Sequence, residues 1–345
     1  MFNNNKYILG NKYYSNPENI EFSNVIIEDV NSGIFLDNAI TTFKSVNDIL
    51  LLIYANKNNS IISYDLIYND KINETKKAHD NYISNIRHYF DSINKRDLIL
   101  SISFKDNNLK IWDITFNCLV NLKNINQSGY LFSGTILNNN NQNYIITSNS
   151  NFKTCEPIKI FDFEGNKINE IENSNNITDV LDTYYDKIYL KNYIITGNIG
   201  FTISYDFNEN KIYHKYFEEG DNYIHNSIAI NNLNERIKLI ETSSEGIVRI
   251  WDFHNGEFLN KIIKDNDMLL CVCLWNNNNI FIGCEDHTIK LINIDNGQTI
   301  KSLFGHTSVV STIKKIIHPK YGECLVSYGG DIRLWNKNKN INNKD

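Results

Sequence analysis

The sequence predicts an all-β fold built as a ring of seven four-stranded units, and three observations carry that prediction. Asn fills 59 of the 345 positions and Ile 54, while Ala fills only 4, so the best helix formers are scarce and β-branched residues abundant. A helical bundle is excluded. The chain is 41% hydrophobic and 21% charged with only 3 Pro, a balance that supplies a packed core rather than a disordered coil. Finally, a short run of alternating apolar and polar residues ending in an aromatic and an acid recurs at a nearly fixed interval.

Five copies keep the full pattern: Ile61-Ile62-Ser63-Tyr64-Asp65, Leu109-Lys110-Ile111-Trp112-Asp113, Ile158-Lys159-Ile160-Phe161-Asp162, Thr202-Ile203-Ser204-Tyr205-Asp206 and Val248-Arg249-Ile250-Trp251-Asp252. Two relaxed copies follow, Ile289-Lys290-Leu291-Ile292-Asn293 and Ile332-Arg333-Leu334-Trp335-Asn336. Successive copies lie 41 to 49 residues apart, the period of a four-stranded propeller blade and not of a helical or leucine-rich solenoid. Seven copies predict seven blades.

Each copy is the third strand of its unit. An apolar strand such as Tyr144–Thr147 or Tyr193–Thr196 precedes it across a tight turn, and a further strand follows. Asn255-Gly256 and Asn296-Gly297 supply the positive φ angles of a two-residue hairpin after two copies, and Glu164-Gly165-Asn166 and Asn208-Glu209-Asn210 hold the same place after two others. The asparagine runs at 138–141 and 276–279 read as solvent loops between first and second strands.

Only a polar tail, 337–345, follows Trp335-Asn336, so the seventh unit lacks a fourth strand of its own. Asn24–Val30 has strand character and is expected to close the ring against the strand at Ile332–Trp335, because an open row of blades would leave sheet edges unpaired. The expected boundaries are an N-terminal segment 1–38 holding that strand at about 24–30, a propeller at 39–336 and the tail.

On these residues the chain resembles the WD-repeat (WD40) β-propeller family over roughly 39–336. The second copy matches the family pattern best, with His79 leading into the blade, Asp106 in the turn before Trp112, and Asp113 closing the strand. The resemblance implies structural roles within blades for His79, Asp106, Trp112, Asp113, Trp251, Asp252, Asp286, His306 and Trp335. Departures are frequent. Gly329 stands where the last blade's turn Asp is expected, Glu245 substitutes in the fifth, Ile292 replaces the sixth Trp, and the first, third and fourth blades lack both the His and the Asp.

No phosphate-binding glycine loop, nucleophile elbow, zinc-protease helix or kinase signature occurs, so no catalytic residue and no cofactor are expected. The cysteines, at 118, 155, 271, 273, 284 and 324, form no C-x-x-C pair, which argues against a metal site; Cys271 and Cys273 share one strand face as small core residues. His88, His214, His225, His254, His287 and His318 read as surface or turn residues. A net charge of −6 offers no basic field for nucleic acid, and apolar runs such as Ile49–Ile53 are too short to span a bilayer. The opening Met1-Phe2-Asn3-Asn4 lacks the pattern of a signal peptide, so the expected address is cytoplasmic, with the nucleus also open, and not secreted.

The expectation for function comes from the resemblance: a non-enzymatic scaffold or adaptor, compatible with a place in a larger complex, that binds protein or peptide partners on the narrower propeller face. The corresponding positions are Tyr82, Ser84, Lys105, Tyr130, Phe132, Ser244, Met268, Leu270, Glu285, Val309, Ser311 and Tyr328, an aromatic and apolar set of the composition found at interaction hot spots. One alternative is a ligand-binding or catalytic propeller that uses its central channel. A second is the substrate receptor of a cullin-type ubiquitin ligase, which usually carries an Arg two positions after the Trp-Asp pair. Here Ile114-Thr115 and Phe253-His254 follow the two pairs, which disfavours it.

Overall fold

The computed structural model describes residues 17–28, 30, 39–126, 130–150, 157–171, 178–233, 236–263 and 267–337. The first 16 residues, Asp29, Cys155 and the tail from 338 onward lie outside them. Seven four-stranded antiparallel sheets form, six of them simple meanders of consecutive strands a to d. Blade 1 comprises Ile40–Lys44, Leu50–Ala55, Ile61–Asp65 and Asp70–Thr75; blade 2, Ile83–Asp91, Arg96–Ser103, Asn108–Asp113 and Cys118–Leu122. Blade 3 comprises Tyr130–Asn139, Gln142–Ser150, Ile158–Phe161 and Lys167–Ile171; blade 4, Thr178–Asp186, Lys191–Asn198, Phe201–Asp206 and Lys211–Phe217. Blade 5 comprises His225–Asn231, Lys238–Ser243, Ile247–Asp252 and Phe258–Ile263; blade 6, Leu269–Leu274, Asn279–Cys284, Ile289–Asn293 and Thr299–Leu303.

Blade 7 contributes three strands, Thr312–His318, Gly322–Tyr328 and Ile332–Asn336, and takes its fourth from Phe22–Ile27. That strand runs antiparallel to strand c, with Phe22 opposite Asn336 and Ile27 opposite Ile332. The first strands of successive blades touch around the ring, and those of blades 7 and 1 complete it.

The core is divided as the repeat dictates. Both faces of each inner sheet are covered by a neighbouring blade, so strand b of blade 1 is buried at all of Leu50–Ala55. Among the described residues seven apolar clusters result, one at each blade interface; Leu52 and Ile62 meet Ile316 and Leu334 between blades 1 and 7, while Ile53 and Ile61 meet Ile99 and Trp112 between blades 1 and 2. Cys271 and Cys273 pack in the cluster between blades 6 and 7.

The connections from c to d differ from the expected two-residue hairpin. In blade 5 five residues separate Asp252 from Phe258, and the loop closes through Gly256 N–H donating to Asp252 O at 3.0 Å, with Gly256 at φ 70°. Asp252 Oδ1 also accepts from His254 and Asn255 N–H, as Asp113 does from Thr115 and Asn117, and Asp206 from Asn208 and Glu209. In these blades the acid ending the signature strand therefore caps a wider turn, and the carboxylate, not hairpin geometry, sets its shape. The two-residue mirror-image turn occurs instead between strands a and b of blade 3, where Asn140 and Asn141 have φ of 51° and 60° and Asn139 pairs with Gln142.

Two blades carry a histidine–serine–tryptophan network. In blade 2 Ser101 Oγ lies 2.7 Å from His79 Nε2 and accepts from the Trp112 indole at 2.8 Å. Asp106 does not join it, because Asn81 captures its carboxylate through N–H and amide. Blade 7 holds the complete set: His306 meets Ser327 and Asp331, each at 2.6 Å, and Trp335 donates to Ser327 at 2.7 Å. The acid lacking at position 329 is thus supplied two residues later. A Cβ on Gly329 would sit 2.7 Å from His306 Cγ, so only glycine lets that ring seat there. Trp112→Phe is expected to cost about 1–2 kcal/mol more than Tyr205→Phe in urea unfolding, since it removes a donor from a buried hydroxyl. The Tyr205 hydroxyl instead donates to exposed Asn210.

Candidate functional site

In a meander of four strands, the turn from b to c and the segment leading into a lie on one rim of the ring. All twelve residues expected to contact partners lie in or beside such segments. Five blades add a device the sequence does not announce. Strand a carries one extra residue against strand b at positions 84, 132, 179, 226 and 270, the same place in blades 2 to 6. Such bulges bend a strand and re-aim the extra residue. Three of the five, Ser84, Phe132 and Leu270, are among the twelve.

The structure brings four of the twelve together. Phe104, at the b–c turn of blade 2, stacks on Tyr130 with ring centroids 4.4 Å apart, meets Phe132 edge-on at 5.1 Å and lies 6.0 Å from Tyr82. Lys105 Nζ sits 6.0 Å from the centre of the Tyr82 ring. Tyr130 is 48% exposed, Lys105 is exposed, and Tyr82, Phe104 and Phe132 are half-buried, so the cluster is a surface and not a core. Sequence reasoning missed Phe104, which joins the others; its signal was an aromatic at the b–c turn directly before Lys105.

The remaining positions are distributed. Ser244, Met268, Glu285 and Val309 are half-buried around the rim, and Glu285 N–H donates to Met268 O at 3.0 Å. Ser84, Leu270 and Ser311 are buried at the channel mouth or beside it. Tyr328 is 5% exposed within the cluster between blades 7 and 1, so its alanine variant reports packing rather than partner contact.

Two of the histidines read as surface or turn residues are buried. His318 bonds Leu66 O at 3.2 Å, across the seam of the ring. His225 lies at 0% exposure with Nε2 2.9 Å from Asp221 and Nδ1 3.1 Å from Glu241. Glu241 occupies the register held by Ser101 and Ser327 in blades 2 and 7, opposite Arg249 as those serines are opposite Lys110 and Arg333. It accepts the Trp251 indole N–H at 3.0 Å and the Thr202 hydroxyl. Arg249, 1% exposed, pairs with Glu218 at 3.0 Å, Asp221 at 3.1 Å and Glu245. Burial opposes charging His225, but Glu241 and Asp221 outweigh it and raise its pKa to about 9. Thr202, His225 and Glu241 are sealed from solvent, so this constellation holds blades 4 and 5 together and has no route for a substrate.

The inner strands enclose a central channel of about 350 Å³, whose polar lining includes Thr41, Asn85, Arg87, Asp182, Asn226 and Lys314. Among the described residues no group of three or more His, Cys, Asp or Glu is placed to hold a metal ion, and no helix is long and apolar enough to cross a membrane.

Fold and rim together define the class: the chain is a seven-bladed β-propeller. No family model matches it. Over 111 residues it is 23% identical to the U3 small nucleolar RNA-associated protein 21 homolog of Schizosaccharomyces pombe (strain 972 / ATCC 24843), a match that covers 32% of this chain and 12% of that protein. The crystal structure of the computationally designed Ika8 protein superposes with a TM-score of 0.62 at 15% identity, covering 91% of this chain and 100% of Ika8. At that identity the likeness concerns the fold alone.

Proposed function

We propose that this propeller is a non-enzymatic scaffold of the WD-repeat kind, which binds protein or peptide partners on the rim around Phe104. The aromatic cluster of Tyr82, Phe104, Tyr130 and Phe132 with Lys105 beside it carries this reading, because rigid, half-exposed rings with a cation at the edge are what binding hot spots are made of. The buried free thiols Cys271, Cys284 and Cys324 suit a reducing compartment, in keeping with a cytoplasmic or nuclear address. The partial relative is by name associated with U3 small nucleolar RNA, which favours a second reading, a place in an RNA-containing assembly.

The test compares affinity purification of the intact protein with that of a Phe104→Ala/Tyr130→Ala double variant. These side chains are half-buried or exposed, so the variant is expected to fold and to lose its main partner by about tenfold or more, the effect of removing one or two hot-spot residues. An unchanged partner set with an unchanged melting temperature refutes the assignment. RNA recovered with the intact protein and sensitive to the same variant supports the second reading.

A further inference from the structure

The strand pairings put one residue of each inner strand at a common level of the channel. Thr41, Arg87, Thr135, Asp182, Ala229, Cys273 and Lys314 are each paired with the residue of strand b that follows the partner of the signature aromatic position. Five of these seven, Thr41, Arg87, Thr135, Asp182 and Lys314, line the channel. Linear spacing hides this belt, because its charged members come from blades 2, 4 and 7.

The belt's charges do not balance. Arg87 reaches past blade 3 to Asp182 on blade 4, but Nη1 lies 3.4 Å from Asp182 Oδ1 and Nη2 3.4 Å from Ser133 Oγ. A charge-assisted bond is normally about 2.7–2.9 Å, so the guanidinium keeps donor capacity in reserve. Lys314 Nζ has no hydrogen-bond or ion-pair partner among the described residues, and its side chain, exposed to water, lines the channel. Protein packed around it, and then Arg87, hold its pKa below the usual lysine range. The other titratable groups here add no compensating anion: burial raises the Cys273 thiol and the Tyr89 hydroxyl, and lowers His88, which is bound to Asp97. Two cations therefore face one carboxylate inside a channel of about 350 Å³, at the lower end of the roughly 300–1,000 Å³ of small-molecule sites.

We propose that the central channel is a receptor for one further carboxylate, held between Lys314 and Arg87 and supplied by a small organic acid or by an acidic side chain entering from the rim. A single monoanion brings the belt to neutrality, and its two oxygens replace the long Arg87 contacts with shorter ones. The site stands on the belt alone, so its failure leaves the partner reading of the aromatic rim untouched.

Calorimetric titration of the full chain with butyrate, and separately with the peptide acetyl-Ala-Glu-Ala-amide, tests it. Saturable binding of either probe is expected, with the better probe identifying the source, and the Gln version of the peptide is expected not to bind. Lys314→Met should weaken binding by about tenfold or more, the worth of one charge-assisted bond. Asp182→Asn, which removes the competing carboxylate, should tighten it by about fivefold or more. That gain is an outcome misfolding cannot mimic. Absence of saturable binding of both probes to the folded protein overturns the proposal, as does Asp182→Asn binding no more tightly than the intact chain.

Discussion

Deletion of residues 1–31 is expected to abolish soluble folding. The deletion removes Phe22–Ile27, the fourth strand of blade 7, and strips strand c of its outer hydrogen-bond partner. An unpaired edge that carries Ile332, Leu334 and Trp335 is a template for aggregation. It also removes Ile20 from the cluster between blades 6 and 7, Val30 from that between blades 7 and 1, and the Glu21–Lys301 ion pair at 2.8 Å that ties the segment to blade 6. Closure by the chain's two ends makes the whole ring depend on this one strand. The measurement is soluble yield together with far-ultraviolet circular dichroism. A permuted chain with residues 17–31 placed after Lys337 separates loss of the strand from loss of the terminus. Phe22 already pairs with Asn336, and Glu21 N–H donates to Asn336 O at 3.2 Å, so a short hairpin there is expected to restore folding. A truncated chain that remains soluble and folded would show that three strands suffice for blade 7.

Glu241→Ala is expected to destabilise the protein by about 3–5 kcal/mol, the cost of removing one partner from a buried charge network. It leaves the Trp251 indole without an acceptor and protonated His225 with Asp221 as its one carboxylate partner, beside the Thr202 hydroxyl. Glu241→Gln keeps an acceptor for Trp251 but no charge, and should fall between the intact protein and the alanine variant. The same network sets an alkaline limit. His225 is raised from 6.5 to about 9, so between those values the folded protein holds a proton that the unfolded chain has lost, and stability falls as pH rises. The contribution, about 3 kcal/mol for such a shift, is complete below pH of about 6.5 and gone once the pH passes about 9. Urea unfolding between pH of about 6 and about 10 should show this decline in the intact protein and a smaller one in Glu241→Gln. Equal slopes in the two would mean that another group sets the alkaline limit.

The asparagines show how far local reading goes. Asn73, Asn169 and Asn260 occupy one register in strand d of blades 1, 3 and 5, and each reaches the c–d turn of the next blade, bonding Thr115 O, Asn210 and Ile294 O at 2.8 to 3.0 Å. His214 of blade 4 serves the same purpose toward His254 O. Read along the chain these are polar residues on an outer strand. Their use becomes visible only when the next blade is in place, because the acceptor lies 34 to 42 residues away.

The candidate site divides in the same manner. Tyr82, Lys105, Tyr130 and Phe132 were legible because their positions follow from the repeat, whereas Phe104 required knowing which rings meet across blades 2 and 3. Glu241 was hidden because an acid in an apolar strand does not name its partner; the histidine that pairs with it and the arginine opposite it come from neighbouring strands and are placed by strand pairing.

Taken alone, the sequence determined the all-β class, the seven units and the N-terminal closure, since alternation and period are properties of neighbouring residues and of a count. The tertiary structure decided which acid completes blade 7, how wide the c–d turns are, and which charges share the channel. Those outcomes depend on side chains from different blades meeting at distances of a few ångströms, and a linear repeat specifies the order of blades but not the contacts between their faces.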